Sequence, residues 1–287
     1  MNTGRQPVGI AQTWPAPAKL NLFLHITGRR NDGYHLLQTA IQFVDICDLL
    51  NFRIRDDGVI RCVNSDRSIS SDSDLAVQAA RLLQDACSMG YGADIHLEKV
   101  IPKGSGLGGG SSDAATVLLA LNKLWNCGLD RRRLEKLGSQ LGADVPVFIR
   151  GKASWVEGVG EPLHAVNLPE AWYVIVYPGV HLDTRQMFAD PSLQRDCAPV
   201  LFRDFSLREA GNVFEPIARR HAQVERAWQW LSQHLQVRLT GSGSCLFACG
   251  RSRSQVEEIA ADCPSDFTVF VAKGMNHSPA CSISQYN

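Results

Sequence analysis

The chain has no excess charge of either sign: lysine plus arginine and aspartate plus glutamate each number 29 in 287 residues. That balance excludes the basic footprint of a protein that lives on nucleic acid and leaves a small molecule as the expected partner. No stretch approaches the ~18–20 consecutive apolar residues of a membrane span, and residues 1–13 hold no apolar run of signal-peptide length. A cytoplasmic location with no membrane partner is therefore expected. The nine cysteines contain no CxxC pair, and Cys245 and Cys249, at CxxxC spacing, have no second pair of ligands. That count and scatter suit reduced cytoplasmic thiols better than a disulfide frame or a zinc site, and no dedicated metal site is expected. A Walker loop is missing too, because Gly110 is followed by serine and no lysine stands where GxxxxGK[ST] requires one. Internal repeats and low-complexity segments are also absent.

With 45% hydrophobic and 20% charged residues, the chain can bury a sizeable core as one large or two moderate domains. Its densest feature is Pro102-Lys103-Gly104-Ser105-Gly106-Leu107-Gly108-Gly109-Gly110-Ser111-Ser112-Asp113, which puts five glycines within seven residues. The run opens into Ala114 to Leu121, which has helical spacing. Backbone amides without β-carbons in the way, at the positive end of a helix, suit polyphosphate. Ser111, Ser112 and Asp113 are expected to cap that helix. Gly104-x-Gly106-x-x-Gly109 also matches the dinucleotide fingerprint. That reading would need a strand after the helix and an acidic residue roughly 20 positions on. Instead, Cys127-Gly128-Leu129-Asp130 reads as a helix stop and a new N-cap, so a nucleotide phosphate cradle is the better assignment.

Upstream, Ala18 to Ile26 alternates as a strand, with Leu20, Leu22, Leu24 and Ile26 on one face and Lys19, Asn21, Phe23 and His25 on the other. Taken alone, the second face is either solvated or the wall of a cleft. Gly28 to Gly33 forms a turn before Tyr34-His35, which is either an ordinary surface pair or a grip for a heterocyclic base. Residues 41–60 read as two strands, and Leu75 to Ala86 as a helix capped by Ser73 or Asp74. Ala93 to Ile101 is the strand that delivers the glycine loop, and a helix follows from Arg131 to Gly138. Asp144, between a small-residue turn and the apolar run Val145 to Ile149, is either a backbone cap or a partly buried carboxylate needing a partner. Gly151 to Pro162 reads as a strand and a glycine turn. Further on, strands at 171–177, 237–240, 245–248 and 267–272 alternate with helices near Thr184, 224–234 and 254–261. The expected class is α+β rather than a doubly wound sheet.

Three segments, PAPAKLNLFLHI, PKGSGLGGGSSDAA and LTGSGSCLFA, resemble the three motifs of the GHMP kinases, the family named for galacto-, homoserine, mevalonate and phosphomevalonate kinases. GRRNDGYHLLQT and LGADVPVF resemble the branch whose acceptor is a cytidine-diphospho-linked methylerythritol, and the likeness runs from Trp14 to about Gly274. The resemblance implies an N-terminal domain like domain 2 of ribosomal protein S5 (residues 1–165) and a ferredoxin-like C-terminal domain (166–287), with the active site between them. It also implies ATP as co-substrate with Mg²⁺, Lys19 and Asp144 as catalytic residues, and residues 102–112 as the ATP loop. Asn21, Tyr34, His35 and Phe188 would line the acceptor site, with Tyr34 and Phe188 on the faces of cytosine and His35 at its edge. Asp144 would take the proton of the acceptor hydroxyl, Lys19 would offset charge on the transferring group, and Ser112 with Ser111 would help place Mg²⁺.

Two rival readings remain open to the sequence. Another kinase of the same family, acting on mevalonate or homoserine, would leave the Gly33-Tyr34-His35 segment without a task. A non-catalytic S5-like RNA-binding module is opposed by the zero net charge and by the lack of interleaved aromatic and basic residues.

Overall fold

A computed structural model describes residues 12–64, 74–88, 90–158, 163–207 and 211–284. The leader, the alternative cap Ser73, the glycine turn at 159–162 and the last three residues lie outside that set. The first half contains β1 (Trp14–Arg29), β2 (His35–Arg55), β3 (Ile60–Asn64), α1 (Leu75–Cys87), β4 (Gly92–Glu98), α2 (Gly109–Leu124), α3 (Arg131–Leu141), α4 (Val145–Arg150), β5 (Ser154–Gly158) and β6 (Leu163–Ala165). The second half contains β7 (Trp172–Tyr177), α5 (Thr184–Ala189), α6 (Glu215–Ala218), α7 (Ala222–Ser232), β8 (Val237–Leu239), β9 (Leu246–Gly250), α8 (Arg253–Ala261), β10 (Thr268–Met275) and α9 (Pro279–Ser284). This is the expected α+β class in a two-domain arrangement.

The strands run β3-β4-β2-β10-β7-β9-β8 across one continuous sheet, with β1 and β5 also on β2 and β6 on β5. The segment expected to be two strands belongs mostly to one, the 21-residue β2. It remains continuous because its neighbours change along its length: β5 meets residues 37–41, β10 meets Val44 and Phe43, and β4 meets residues 49–55. β1 pairs with it from Arg29↔His35 to Trp14↔Leu50. Each stretch of β2 thus finds hydrogen-bond partners without the chain having to turn.

Three apolar clusters fill the molecule. One lies among α1, α2, α4 and the first-half strands, around Phe43, Leu118 and Phe148. A second lies in the second half, around Val174, Leu231 and Val256, and takes in Leu24 and Ile26 from β1. The third, around Leu20, Phe23, Ile175 and Phe247, joins the halves and includes Leu107 from the glycine loop. Helix starts follow local chemistry: Asp74 caps α1 by accepting from the Ala76 amide at 2.9 Å, and Asp130 caps α3 by accepting from Arg133 at 2.8 Å.

Two expectations are corrected. The clean alternation of β1 breaks at a register shift between Asn21 and Phe23, where the pairing steps from Asn21↔Ile41 to Phe23↔Ala40. One extra residue turns the strand over. Leu24 then shares the cleft face with Lys19 and Asn21, while Phe23 packs in the central cluster with His25 set edge-on to it at 5.2 Å. The glycine-loop helix also has no side-chain cap: α2 starts at Gly109 from a left-handed Gly108. Ser111, Ser112 and Asp113 therefore fall inside its first turns, since the glycines themselves adopt helical geometry.

Candidate active site

Lys19 enters the site through backbone and side chain together. Its amide donates to the Leu107 carbonyl at 2.9 Å, which ties β1 to the glycine loop. Its buried ammonium donates to Asn21 Oδ1 and stands 3.5 Å from Asp144 Oδ2. Asn21 is itself fixed, with its amide donating to Thr240 Oγ1 at 2.9 Å and its Nδ2 to Thr39 Oγ1 at 3.0 Å. A lysine buried to 3% exposure requires such partners, because an isolated charge out of water is costly.

The glycines make this closeness possible. Gly106 has φ +81°, and a β-carbon there would lie 2.2 Å from the Thr240 carbonyl oxygen. At Gly108, φ +76°, a β-carbon would touch Lys19 Cε and Phe148 Cζ at 3.0 Å each. The loop is thus pressed between Lys19 and the second small-residue loop, Gly241-Ser242-Gly243-Ser244. Ser105 completes the seam by accepting from the Cys245 amide at 2.9 Å. Gly109, Gly110 and Ser111 open α2, so their amides have no carbonyl one turn back to bond and sit at the positive end of the helix.

Asp144 immediately precedes α4 but forms no side-chain cap bond there. The cap expectation is replaced by the contact with Lys19. At 41% side-chain exposure, the carboxylate remains open to the cleft.

Beneath the loop lies a charged group that the sequence did not single out. Lys99 donates to Asp48 Oδ2 at 2.5 Å and to Asp113 Oδ2 at 2.6 Å, while Asp48 Oδ1 accepts from the amides of Val100 and Ile101 at 2.6 and 2.8 Å. Burial pushes the Asp113 carboxyl up to about 8, with the shared lysine offsetting only part of that effect. Burial would lower Lys99, but the two carboxylates outweigh it and raise its pKa. One lysine between two buried carboxyls is best matched with one of them protonated.

At the far end of the cleft, the His35 ring stacks on Phe188, with centroids 5.1 Å apart and an interplanar angle of 25°. Phe188 in turn meets Phe214 edge-on at 4.9 Å. Tyr34 is 68% exposed beside them. Burial, then the cations Arg195 and Arg29, lower the His35 pKa and so favour the neutral ring.

One cavity of about 1130 Å³ is lined by Lys19, Asn21, Tyr34, His35, Asp144 and Phe188 together with Pro102 to Gly106 and Gly108 to Ser111. Two residues of the expected ATP loop turn inward instead. Leu107 packs in the central cluster, and Ser112 is enclosed with its hydroxyl unpaired among the described residues. Sequence reasoning missed Lys99, Thr39 and Arg195 and took Asp113 only for a helix cap; the detectable signal was an acidic residue, Asp48, between Ile46-Cys47 and Leu49-Leu50 in the strand.

A family model described as the GHMP kinases N terminal domain matches residues 74–152. The 4-diphosphocytidyl-2-C-methyl-D-erythritol kinase of Dechloromonas aromatica (strain RCB) is 49% identical over 273 residues, 94% of this chain and 100% of that protein. The kinase of the same name from Nitrosococcus oceani is 51% identical over 92% of this chain and 95% of its own length. Among solved structures, a 4-(cytidine 5'-diphospho)-2C-methyl-D-erythritol kinase superposes with a TM-score of 0.81 at 31% identity, covering 92% of this chain and 99% of that one. Likeness of this extent, over a cleft in which both glycine loops close on one lysine, means that the chain belongs to the 4-diphosphocytidyl-2-C-methyl-D-erythritol kinases of the GHMP family.

Proposed function

We propose that this enzyme transfers the γ-phosphoryl group of ATP to the 2-hydroxyl of 4-diphosphocytidyl-2-C-methyl-D-erythritol, a step of the non-mevalonate route to isoprenoid precursors. The observation that carries the reading is the 3.5 Å pairing of Lys19 with Asp144 at the mouth of the glycine loop, in a cavity that continues to the His35 and Phe188 rings. The rival acceptors mevalonate and homoserine carry no base, and would leave that aromatic end without a task.

The acceptor hydroxyl is tertiary, crowded and a weak acid, so holding it in line with the phosphorus accounts for much of the acceleration. In this proposal, Asp144 orients the hydroxyl and takes its proton. Lys19, steadied by Asn21 and Thr39, offsets charge on the transferring oxygens. The amides of Gly108 to Ser111 hold the ATP phosphates. Tyr34 and Phe188 face the base and His35 meets its edge. The domain division at residues 1–165 and 166–287 belongs to the same proposal, which sets the phosphate loop on one side of the cleft and Phe188 on the other. So does a cytoplasmic location, supported by nine free thiols.

No group of three or more His, Cys, Asp or Glu fit to hold a metal ion occurs among the described residues. Ser111 at the cavity wall and the unpaired Ser112 hydroxyl behind it fit a Mg²⁺ that arrives on the nucleotide with mostly phosphate and water ligands. Bound there, the ion would neutralise phosphate charge.

A coupled ADP-release assay with the cytidine-diphospho acceptor, mevalonate and homoserine tests the reading. Turnover of the first alone is expected, and turnover of either other acceptor in its place would overturn it.

A further inference from the structure

Arg195 lies in the loop after α5, 160 residues from His35 in sequence, yet its Nε donates to His35 Nε2 at 3.2 Å. The rest of the guanidinium is spent on the end of α5 and the loop after it: it donates to the carbonyls of Phe188 and Asp190 at 2.9 Å each and to that of Leu193 at 3.0 Å. All four acceptors are neutral. A guanidinium has no lone pair to offer and does not lose its proton in proteins. The nitrogen facing it must therefore carry the imidazole lone pair. In a neutral ring, the proton then sits on Nδ1, on the opposite side of the imidazole. Stacking on Phe188 holds the ring plane, and Phe188 is held through its own carbonyl by the same arginine.

We propose that Arg195 is a positioning residue that fixes His35 as the Nδ1–H tautomer, and so sets the preference for cytosine over uracil at the acceptor site. The chemistry is complementary. Cytosine has a bare acceptor nitrogen at ring position 3, whereas uracil has an N–H there. A fixed N–H donor bonds the first and opposes the second, and a site built around one polar bond rejects the analogue that cannot make it. The inference rests on the acceptor proposed above carrying a cytosine base.

Long-range ¹H–¹⁵N NMR of the wild-type protein at neutral pH, with His35 assigned by loss of its signals in His35→Gln, reads the tautomer directly. A protonated Nδ1 and bare Nε2 are expected; the opposite tautomer or an imidazolium overturns the proposal. In kinetics, Arg195→Met removes the donor and the charge, and should reduce discrimination between the cytidine acceptor and its uridine counterpart by about tenfold, one hydrogen bond's worth. The loss should fall on KM more than on kcat. Arg195→Lys, whose ammonium also can only donate, should restore part of the preference. Wild-type discrimination in Arg195→Met would sink the role of Arg195 while leaving the proposed reaction standing. A wild-type enzyme that turns over both acceptors equally would refute the base reading itself, and this inference with it.

Discussion

Asp144 carries little of the fold and is proposed to carry much of the chemistry: it forms no cap bond and its carboxylate touches only Lys19 among the contacts described. Asp144→Asn should therefore lower kcat by ~10²–10⁴, the usual worth of a general base, with the KM for ATP little changed. Steady-state kinetics that returned near wild-type turnover would remove this residue from the proton transfer. Asp113 makes the opposite case, a buried group whose effect falls on stability. Its folded pKa, about 8, lies above the ordinary 3.8, so the stability it contributes is complete below pH 3.8 and is lost as the pH rises to about 8. The stability of the wild-type protein relative to Asp113→Asn should thus decline across that window and level off above it. Thermal melts at a series of pH values measure this, and a constant difference would show that Asp113 is not held protonated. Lys19 and Asp144 were legible in sequence because each stands in a local motif. Lys99 was not, because its partner Asp48 lies 51 residues away and the ion pair between them exists only once β2 and β4 are zipped together.

At the scale of elements, the glycine loop was readable from composition, whereas the start of its helix and the face of β1 were not. A period-two pattern of Leu20, Leu22, Leu24 and Ile26 cannot announce a bulge, because the inserted residue is itself an apolar residue that either face accepts. The length of β2 was hidden for a related reason: continuity depends on which neighbours arrive along it, and those lie up to 232 positions away, where Met275 meets Phe43. The glycine loop supports a sharper expectation. Gly106→Ala would hold a side chain at φ +81° with its β-carbon 2.2 Å from the Thr240 carbonyl oxygen. The backbone term alone costs ~1–2 kcal/mol. Relieving the clash would also part the two loops that flank Lys19. Denaturant midpoints should fall and the KM for ATP rise together; a variant changed in neither would show that the seam is not needed.

In the whole molecule, the last described residues return to the first half. β10 pairs with β7 in the second half and with β2 in the first, after which residues 276–284 lie on the first half. The Asn276 carbonyl accepts from the Ala153 amide at 2.8 Å, the Ser278 amide donates to the Gly151 carbonyl at 3.0 Å, and Ala280 and Cys281 sit in the core beside α4. Truncation after Met275 should cost on the order of 3 kcal/mol from that burial and those bonds. Urea unfolding with an unchanged slope and a lower midpoint would register the loss, and an unshifted midpoint would mean the tail only rests on the surface. The resemblance of five separated segments made the two-domain plan readable, but this return of the tail left no trace in any motif.

β2 places His35, Leu37, Thr39 and Ile41 along the same cavity wall, every second residue of one unbroken strand. From the first to the last is ~20 Å at the rise of an extended chain. In the proposed reaction the strand acts as a ruler, with one end at the proposed base site and its middle at the lysine. An acceptor shortened by one phosphate would still seat its cytosine at residue 35, but its hydroxyl would stop short of Asp144: recognised, and left unphosphorylated.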